Sequence, residues 1–387
     1  MKKLQFLNLA AVLLLLLFTG AFTACPSVED EDEEGKMDET LTTQEYIEQM
    51  GLGINLGNTL EACGSWINSS SITNYETAWG SPIITESMIK GYAKAGFSSL
   101  RIPVAWSNMM QADNKIHPNL MNRVDQIVRW TVNSGMIAVI NLHWDGGWWE
   151  EMPTKHDEVM KKYTAIWKQV SAHFKKYGDR LMFESMNEVG FDKVWNQWGG
   201  TPAQKREAFG YVNELNKKFV DVVRASGGNN AKRHLLIEVY YTGLEYAWDP
   251  LFEMPNDPAN RCAATVHYYT PAVFAILEKD ADWGKARTTW GTEADLKELN
   301  DNMDLLKKNC VDKGIPIIVG EYAACGNNKS QEQKRNYAVK VTEAVYSRRM
   351  CPMLWDTSGD QYNRTTQKWR DPLFLQQIKA IKAKYPR

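Results

Sequence analysis

The sequence has little of several things that would have directed its reading elsewhere. It holds six cysteines in 387 residues, and the five beyond Cys25 (Cys63, Cys262, Cys310, Cys325 and Cys351) show no Cys-x-x-Cys spacing, so they are read as buried thiols rather than a disulfide framework. The six histidines include no His-x-His pair on the first strand and no dense cluster with cysteines and acids. No metal and no cofactor are therefore expected. No apolar run is long enough to span a bilayer well, the longest being residues 7–18. Charge of one sign is also missing. Setting aside Lys2, Lys3 and Lys36 from the 45 bases, and the eight acids of the first forty residues from the 47, leaves 42 against 39. With no basic stripe and no extended acidic face, nucleic acid and cationic ligands are excluded as partners and a neutral substrate is favoured.

What is present begins with an export signal. Lys2 and Lys3 precede the apolar run, then come Gly20, Ala21, Ala24 and Cys25, the pattern of a secretory signal over residues 1–24. Phe22-Thr23-Ala24-Cys25 resembles a bacterial lipoprotein box, although Phe22 stands where Leu is usual; Cys25 would then be lipidated. The acidic run from Glu29 to Glu34 offers nothing to bury, so residues 25–40 are predicted to be a disordered acidic tether. Acids soon after such a Cys resemble the signal for display on the outer surface of some Gram-negative cells. The expected location is thus the outer membrane, lipid-anchored and surface-exposed, with a secreted or periplasmic protein as the alternative. The only membrane contact expected is that anchor, and the chain is expected to act as a monomer.

From Met50 onward the chain punctuates itself into eight apolar runs, at 51–60, 98–106, 136–144, 181–189, 234–241, 262–270, 316–323 and 351–357. They are continuous rather than alternating, as parallel strands buried on both faces should be. Amphipathic segments separate them: Leu120, Val124, Ile127, Val128 and Thr131 repeat at helical spacing, as do Val159, Tyr163, Ile166, Trp167, Val170 and Phe174. Thr201-Pro202 reads as an N-cap with Pro at the first helical position, and Thr292 with Asp295 as a capping box. The connection 242–261 has three prolines and no helical face, so an irregular segment is predicted there. Eight strand–helix repeats predict an α/β fold, one (β/α)₈ TIM barrel over residues 41–387.

A barrel demands catalytic side chains at the carboxyl ends of its strands. Arg101 lies in the second strand, His143 ends the third, Asn187 and Glu188 the fourth, His267 and Tyr269 the sixth, Glu321 the seventh and Trp355 the eighth. A lone polar residue in an apolar strand is usually a satisfied core group. So many at one mouth, including two carboxylic acids, make an inventory for acid/base glycoside chemistry. One acid must stay protonated to serve the leaving oxygen, so its pKa should be raised; the other must be ionised to attack, and Arg101 should hold it so. Sequence spacing leaves retaining and inverting geometries both open.

At these residues the chain resembles glycoside hydrolase family 5. The match lies in Leu181-Met182-Phe183-Glu184-Ser185-Met186-Asn187-Glu188-Val189 and in Ile318-Val319-Gly320-Glu321-Tyr322. The resemblance implies retention, with Glu188 as acid/base and Glu321 as nucleophile. It also implies Arg101 near the nucleophile, His143 in the mouth, Asn187 toward the sugar 2-hydroxyl, His267 and Tyr269 as a His-x-Tyr pair, and Trp355 as the platform under the reacting sugar. The run from Gly53 to Ala62, with Asn58 as a substrate-binding position, followed by Thr77-Ala78-Trp79-Gly80, is similar to the branch acting on β-1,4-glucans, mixed-linkage glucan and xyloglucan. Many of that branch carry a second His where Trp144 stands. The implied activity is an endo-β-1,4-glucanase. A β-mannanase or exo-acting β-glycosidase shares the mechanism, and a non-catalytic surface glycan-binding protein or a metal hydrolase is the reading from another class. Trp148 and Trp149 are expected to form further sugar subsites, then Trp66 and Trp79, since an indole packs on the apolar face of a pyranose; Trp130 and Trp167 are assigned to the core.

Overall fold

Eight strands cut from the predicted apolar runs close on one another in sequence order: β1 (Gly53–Asn55), β2 (Ser99–Ile102), β3 (Ile137–Asn141), β4 (Leu181–Glu184), β5 (Leu235–Glu238), β6 (Cys262–His267), β7 (Ile317–Tyr322) and β8 (Cys351–Leu354). All neighbours are parallel, and β1 pairs with β8 to shut the barrel. The computed structural model describes residues 35–387. The signal segment, Cys25 and residues 25–34 of the predicted tether lie outside the described residues.

The strands are shorter than their apolar runs, so several predicted strand-end residues sit in the loops that follow. Glu188 lies four positions past β4, and His143 and Tyr269 two past β3 and β6. Around the barrel run α1 (Thr43–Met50), α2 (Ile72–Thr77), α3 (Glu86–Ala95), α4 (Pro118–Asn133), α5 (Met152–His173), α6 (Pro202–Ala225), α7 (Ala272–Ala275), α8 (Glu293–Asn309), α9 (Gln331–Tyr346) and α10 (Pro372–Lys384). The predicted apolar faces of α4 and α5 are buried throughout. Both predicted start signals form: Thr201 caps α6 in a capping box with Gln204, with Pro202 at the first position, and Thr292 caps α8 with Asp295. Between β5 and β6 there are only 3₁₀ turns. The five cysteines are free thiols, Cys310 and Cys351 buried and the others partly so.

Two features position the mouth. One is a floor not anticipated from the sequence: Tyr46, Ile47 and Met50 of α1 pack with the inward side chains Ile137, Val139, Met182, Leu236, Ala263, Ile318 and Met353, filling the amino-terminal end of the barrel. The chemistry is thereby left to the opposite end. The other is a short ribbon after β8, β9 (Tyr362–Asn363) paired with β10 (Lys368–Trp369). Beside it the buried Arg364 donates to Gly57 O at 2.8 Å and Asp356 O at 2.7 Å, tying the loops after β1 and β8 together.

Residues 35–40 differ from the predicted free tether. The Asp38 amide donates to the Asp179 carboxylate, Arg261 Nη2 donates to Asp38 O at 2.7 Å, and Asn229 Nδ2 donates to Gly35 O at 2.8 Å. Two side-chain donors and one carboxylate acceptor from the barrel thus hold the backbone of this segment.

Candidate active site

The centre of the mouth is a buried guanidinium. Register sets Asn55 of β1 directly beside Arg101 of β2, and Arg101, fully buried, spends its planar fork on four acceptors. Nε donates to Glu184 Oε2 at 2.6 Å, Nη1 to Asn55 Oδ1 at 2.9 Å and to Glu321 Oε1 at 2.8 Å, and Nη2 to Asn187 Oδ1 at 2.5 Å. Only a guanidinium offers donors in such a rigid fan. The bond from Arg101 also fixes the Asn187 amide, because Arg can only donate; Oδ1 faces Arg101 and Nδ2 remains to donate into the cleft.

Glu321 reaches the mouth through an irregularity in β7. Opposite β6, Val266 pairs with Val319 but His267 pairs with Glu321, so Gly320 is the extra residue of a bulge, a device that re-aims a side chain. Any Cβ at Gly320 would lie 2.6 Å from Thr265 Oγ1. The re-aimed carboxylate accepts from Arg101 on Oε1 and from the Tyr269 hydroxyl on Oε2 at 3.0 Å.

Glu188 stands opposite on the loop after β4, its side chain 49% exposed, its backbone left-handed at φ +52°. Its Oε1 lies 2.7 Å from His267 Nδ1, which is also 3.8 Å from Glu321 Oε2. Oxygens of Glu188 and Glu321 lie within 4.8 Å of each other. With His267 these carboxyls make three donors close enough to suit a cation, but His267 Nδ1 is engaged with Glu188, and both Glu321 oxygens accept from protein donors. The arrangement suits proton transfer and nucleophilic attack better than metal ligation.

The electrostatics correct one expectation. Burial, the largest influence on Glu321, raises its carboxyl above the ordinary value against the pull of His267 and Arg101. At Glu188 burial again pushes upward, but the hydrogen bond and charge of His267, with Arg101 behind, bring the net value below the ordinary one. The sequence reading had the two directions the other way round, because it placed Arg101 beside the nucleophile without the cost of burying that carboxylate, and left His267 unpaired with Glu188. Burial also keeps the His143 imidazole neutral by lowering its pKa well below the usual value. That ring lies parallel to the Trp355 indole, 5.9 Å between centroids.

Trp355 follows β8 and covers the loop after β1 so closely that a Cβ at Gly57 would meet its ring at 2.8 Å. Asn58, left-handed at φ +58°, donates from Nδ2 to Trp79 O at 3.5 Å, and the buried Glu61 carboxylate accepts from the amides of Asn58 and Thr59. Trp66 and Trp79 are exposed.

The Trp148–Trp149 pair is corrected. Trp149 is only 3% exposed and packs into the core, while Trp148 is half-buried, donating to Asp145 Oδ2 at 2.8 Å under the Lys162 ammonium. Gly146 and Gly147, both left-handed, wind this segment into a 3₁₀ turn that directs one indole inward. The aromatic surface here is Trp144, 48% exposed. Trp167 is core as predicted, and Trp130 is half-buried with the Arg123 guanidinium over its ring. Three buried acceptors have no role assigned from the sequence: Asn55, Glu184 and Glu238, each the last residue of its strand. The signal was a lone polar residue closing an otherwise apolar strand.

Comparison with known proteins agrees with this geometry. Residues 60–361 match the model of the cellulase family, glycosyl hydrolase family 5. Endoglucanase A of Paenibacillus barcinonensis is 33% identical, over 92% of this chain and 91% of that protein. A xyloglucan-specific endo-β-1,4-glucanase of Bacteroides ovatus is 31% identical, over 87% and 69%. Among solved structures, a broad-specificity endoglucanase from an uncultured bovine rumen ciliate superposes with a TM-score of 0.81 at 33% identity, covering 89% of this chain and 99% of that one. A mutant lichenase of Caldicellulosiruptor sp. F32 in complex with cellotetraose gives 0.80 at 30% identity, covering 90% and 96%.

Proposed function

Since the chain belongs to the cellulase family, glycosyl hydrolase family 5, we infer that it is an endo-β-1,4-glucanase that hydrolyses internal bonds of a β-glucan with retention, Glu321 acting as nucleophile and Glu188 as acid/base. The observation that carries the reading is the separation of the two carboxylates. Oxygens within 4.8 Å leave no room for the water that an inverting enzyme seats between carboxyls about 6.5–9.5 Å apart, and match the spacing of about 5–5.5 Å for direct attack.

In the first half-reaction a Glu321 oxygen attacks the anomeric carbon while the Glu188 proton passes to the leaving glycosidic oxygen. In the second, Glu188 takes a proton from water, which attacks the same carbon and releases Glu321. Glu188 therefore needs a high pKa first and a low one later. A bound sugar would dry its half-exposed carboxyl and raise it toward the protonated form. Esterification of Glu321 then removes the negative charge beside it, and the His267 hydrogen bond favours the carboxylate that serves as base. Tyr269 and Arg101 hold Glu321 for attack, Asn187 Nδ2 is directed to the 2-hydroxyl, and Trp355 with His143 forms the stacked platform for the reacting sugar.

Relatives named as endoglucanases, a lichenase and a xyloglucan-specific enzyme support β-1,4-linked glucans as the substrate class, cellulose, mixed-linkage glucan or xyloglucan. The test of the chemistry is Glu321→Gly with azide, which should restore turnover of an activated substrate and yield a glycosyl azide of inverted configuration. No rescue, or a product of the other configuration, removes Glu321 from the role. A panel of carboxymethylcellulose, lichenan, xyloglucan and glucomannan, read by product length, tests the substrate class.

We also propose export and lipidation at Cys25, with display at the outer membrane surface. The support is Lys2, Lys3, the apolar run, the box ending at Cys25 and the acids that follow it. Mass spectrometry of the mature amino terminus checks this: a diacylglyceryl Cys25 supports it, and a terminus elsewhere refutes it.

A further inference from the structure

The fifth strand was the one for which the sequence offered no functional residue, yet it ends in a fully buried acid. Glu238 Oε1 accepts the N–H of Val189, the amide immediately after Glu188. Glu238 is itself pinned, its N–H donating to Ser185 Oγ at 3.1 Å and its carbonyl accepting from Asn216 Nδ2 at 2.8 Å. The Val189 carbonyl in turn accepts from Tyr241 N–H at 2.9 Å. Both backbone groups of Val189 are thus held from the end of β5. On the other side of Glu188, Asn187 is held by Arg101.

This clamp surrounds a residue in a costly conformation. A left-handed glutamate, as at Glu188, is disfavoured by about 1–2 kcal/mol and persists where its neighbours are over-determined. We propose that Glu238 is a positioning residue for the acid/base, holding the Val189 amide so that the Glu188 carboxyl points at the glycosidic oxygen; this rests on the assignment of Glu188 made above. The acceptor does not have to bring a charge. Burial, then the carboxylates of Glu184 and Glu188, push the Glu238 pKa well above the ordinary value, so a neutral carboxyl supplies the bond beside an already crowded set of acids.

The experiment compares wild type, Glu188→Ala, Glu238→Leu and Glu238→Gln on lichenan and on 2,4-dinitrophenyl β-cellobioside, whose leaving group needs no proton. Glu238→Leu should lower kcat on lichenan roughly 10- to 100-fold, a part of what general acid catalysis contributes, with KM little changed and kcat/KM for the aryl glycoside, which reports its first step alone, nearly kept. Glu238→Gln keeps the acceptor and the size, and should match wild type on both; it folds even if the leucine variant does not. Loss of both activities in equal proportion in Glu238→Leu, or loss of lichenan activity in Glu238→Gln, overturns the proposal while Glu188→Ala still shows the leaving-group dependence. If Glu188→Ala shows no such dependence, the acid/base assignment itself falls and the proposal with it.

Discussion

Replacing Arg101 by Met and, separately, by Lys separates its charge from its geometry. Arg101→Met deletes four hydrogen bonds, two of them to the carboxylates of Glu184 and Glu321 at 2.6 and 2.8 Å. Bonds to charged groups are each worth about 1.5–3 kcal/mol, and breaking a buried ion pair on one side destabilises by about 3–5 kcal/mol. Urea unfolding at pH 7 should show a loss in that range. Glu321, the proposed nucleophile, also loses a cation that opposes the upward push of burial on its pKa. Glu321 must be ionised to attack, so the acidic limb of the kcat/KM profile on lichenan moves to higher pH. Arg101→Lys retains the charge, and its limb should stay in place. One ammonium with three donors cannot satisfy acceptors set on the ends of β1, β4 and β7 and the loop after β4, so kcat should still fall by about 10- to 100-fold, the equivalent of one such bond. A Met variant whose limb stays or moves down, or a Lys variant with native kcat, refutes the account of Arg101 as both counter-charge and template.

Glu188→Gln and Glu321→Gln should each lower kcat on glucan polymers by several orders of magnitude with circular dichroism unchanged, since no neighbouring group replaces either carboxyl; near-native turnover would reverse the roles. Trp144→Ala should raise KM for soluble glucans at little expense in stability. Trp149→Ala should instead destabilise by about 3–5 kcal/mol, as truncation of a core indole does, and calorimetry with steady-state kinetics distinguishes the two outcomes. Asp257 accepts from Arg224 Nε at 2.7 Å and Nη2 at 2.8 Å, and although burial pushes its pKa up, these bonds and the amide of Arg261 bring it down to about 2. A depressed acid stabilises the fold above its unfolded value. Its contribution of about 2–3 kcal/mol should therefore be present at pH 5 and vanish between about pH 4 and 2. Asp257→Asn should flatten that part of the stability curve, and an unchanged acid dependence would count against the pair.

The barrel was readable because parallel strands buried on both faces leave uninterrupted apolar runs, and the eight residues Arg101, His143, Asn187, Glu188, His267, Tyr269, Glu321 and Trp355 stood out against them. The supporting acids did not, for the same reason. Glu184 closes Leu-Met-Phe-Glu and Glu238 closes Leu-Leu-Ile-Glu, and a strand read as an apolar unit absorbs its one polar member. Trp148 and Trp149 are chemically identical neighbours, and which indole turns inward follows from the 3₁₀ turn that the two left-handed glycines before them enter, which the side-chain types do not reveal. The floor helix α1 has three buried large side chains, Tyr46, Ile47 and Met50, in eight residues, too short a pattern to stand out beside the acidic segment before it. Charges can be counted along a chain, but the distances that set the Glu188 and Glu321 pKa directions cannot.

Those distances define a shared economy of charge. Four carboxyls, Glu184, Glu188, Glu238 and Glu321, crowd the mouth around the buried guanidinium of Arg101, and they cannot all be ionised at little cost. Glu184 lies against Arg101 Nε at 2.6 Å, the closest of the carboxylates to that guanidinium. Glu238 is pushed toward neutrality and serves as an acceptor. That leaves Glu321, raised by burial, and Glu188, lowered by His267, as the two whose protonation a substrate can readily change. His267 Nδ1, at 2.7 Å from one and 3.8 Å from the other, is placed to follow the negative charge between them. On the proposed mechanism, acid and base roles are set by what occupies the mouth at each step, and Glu184 and Glu238 stay outside an exchange confined to Glu188 and Glu321.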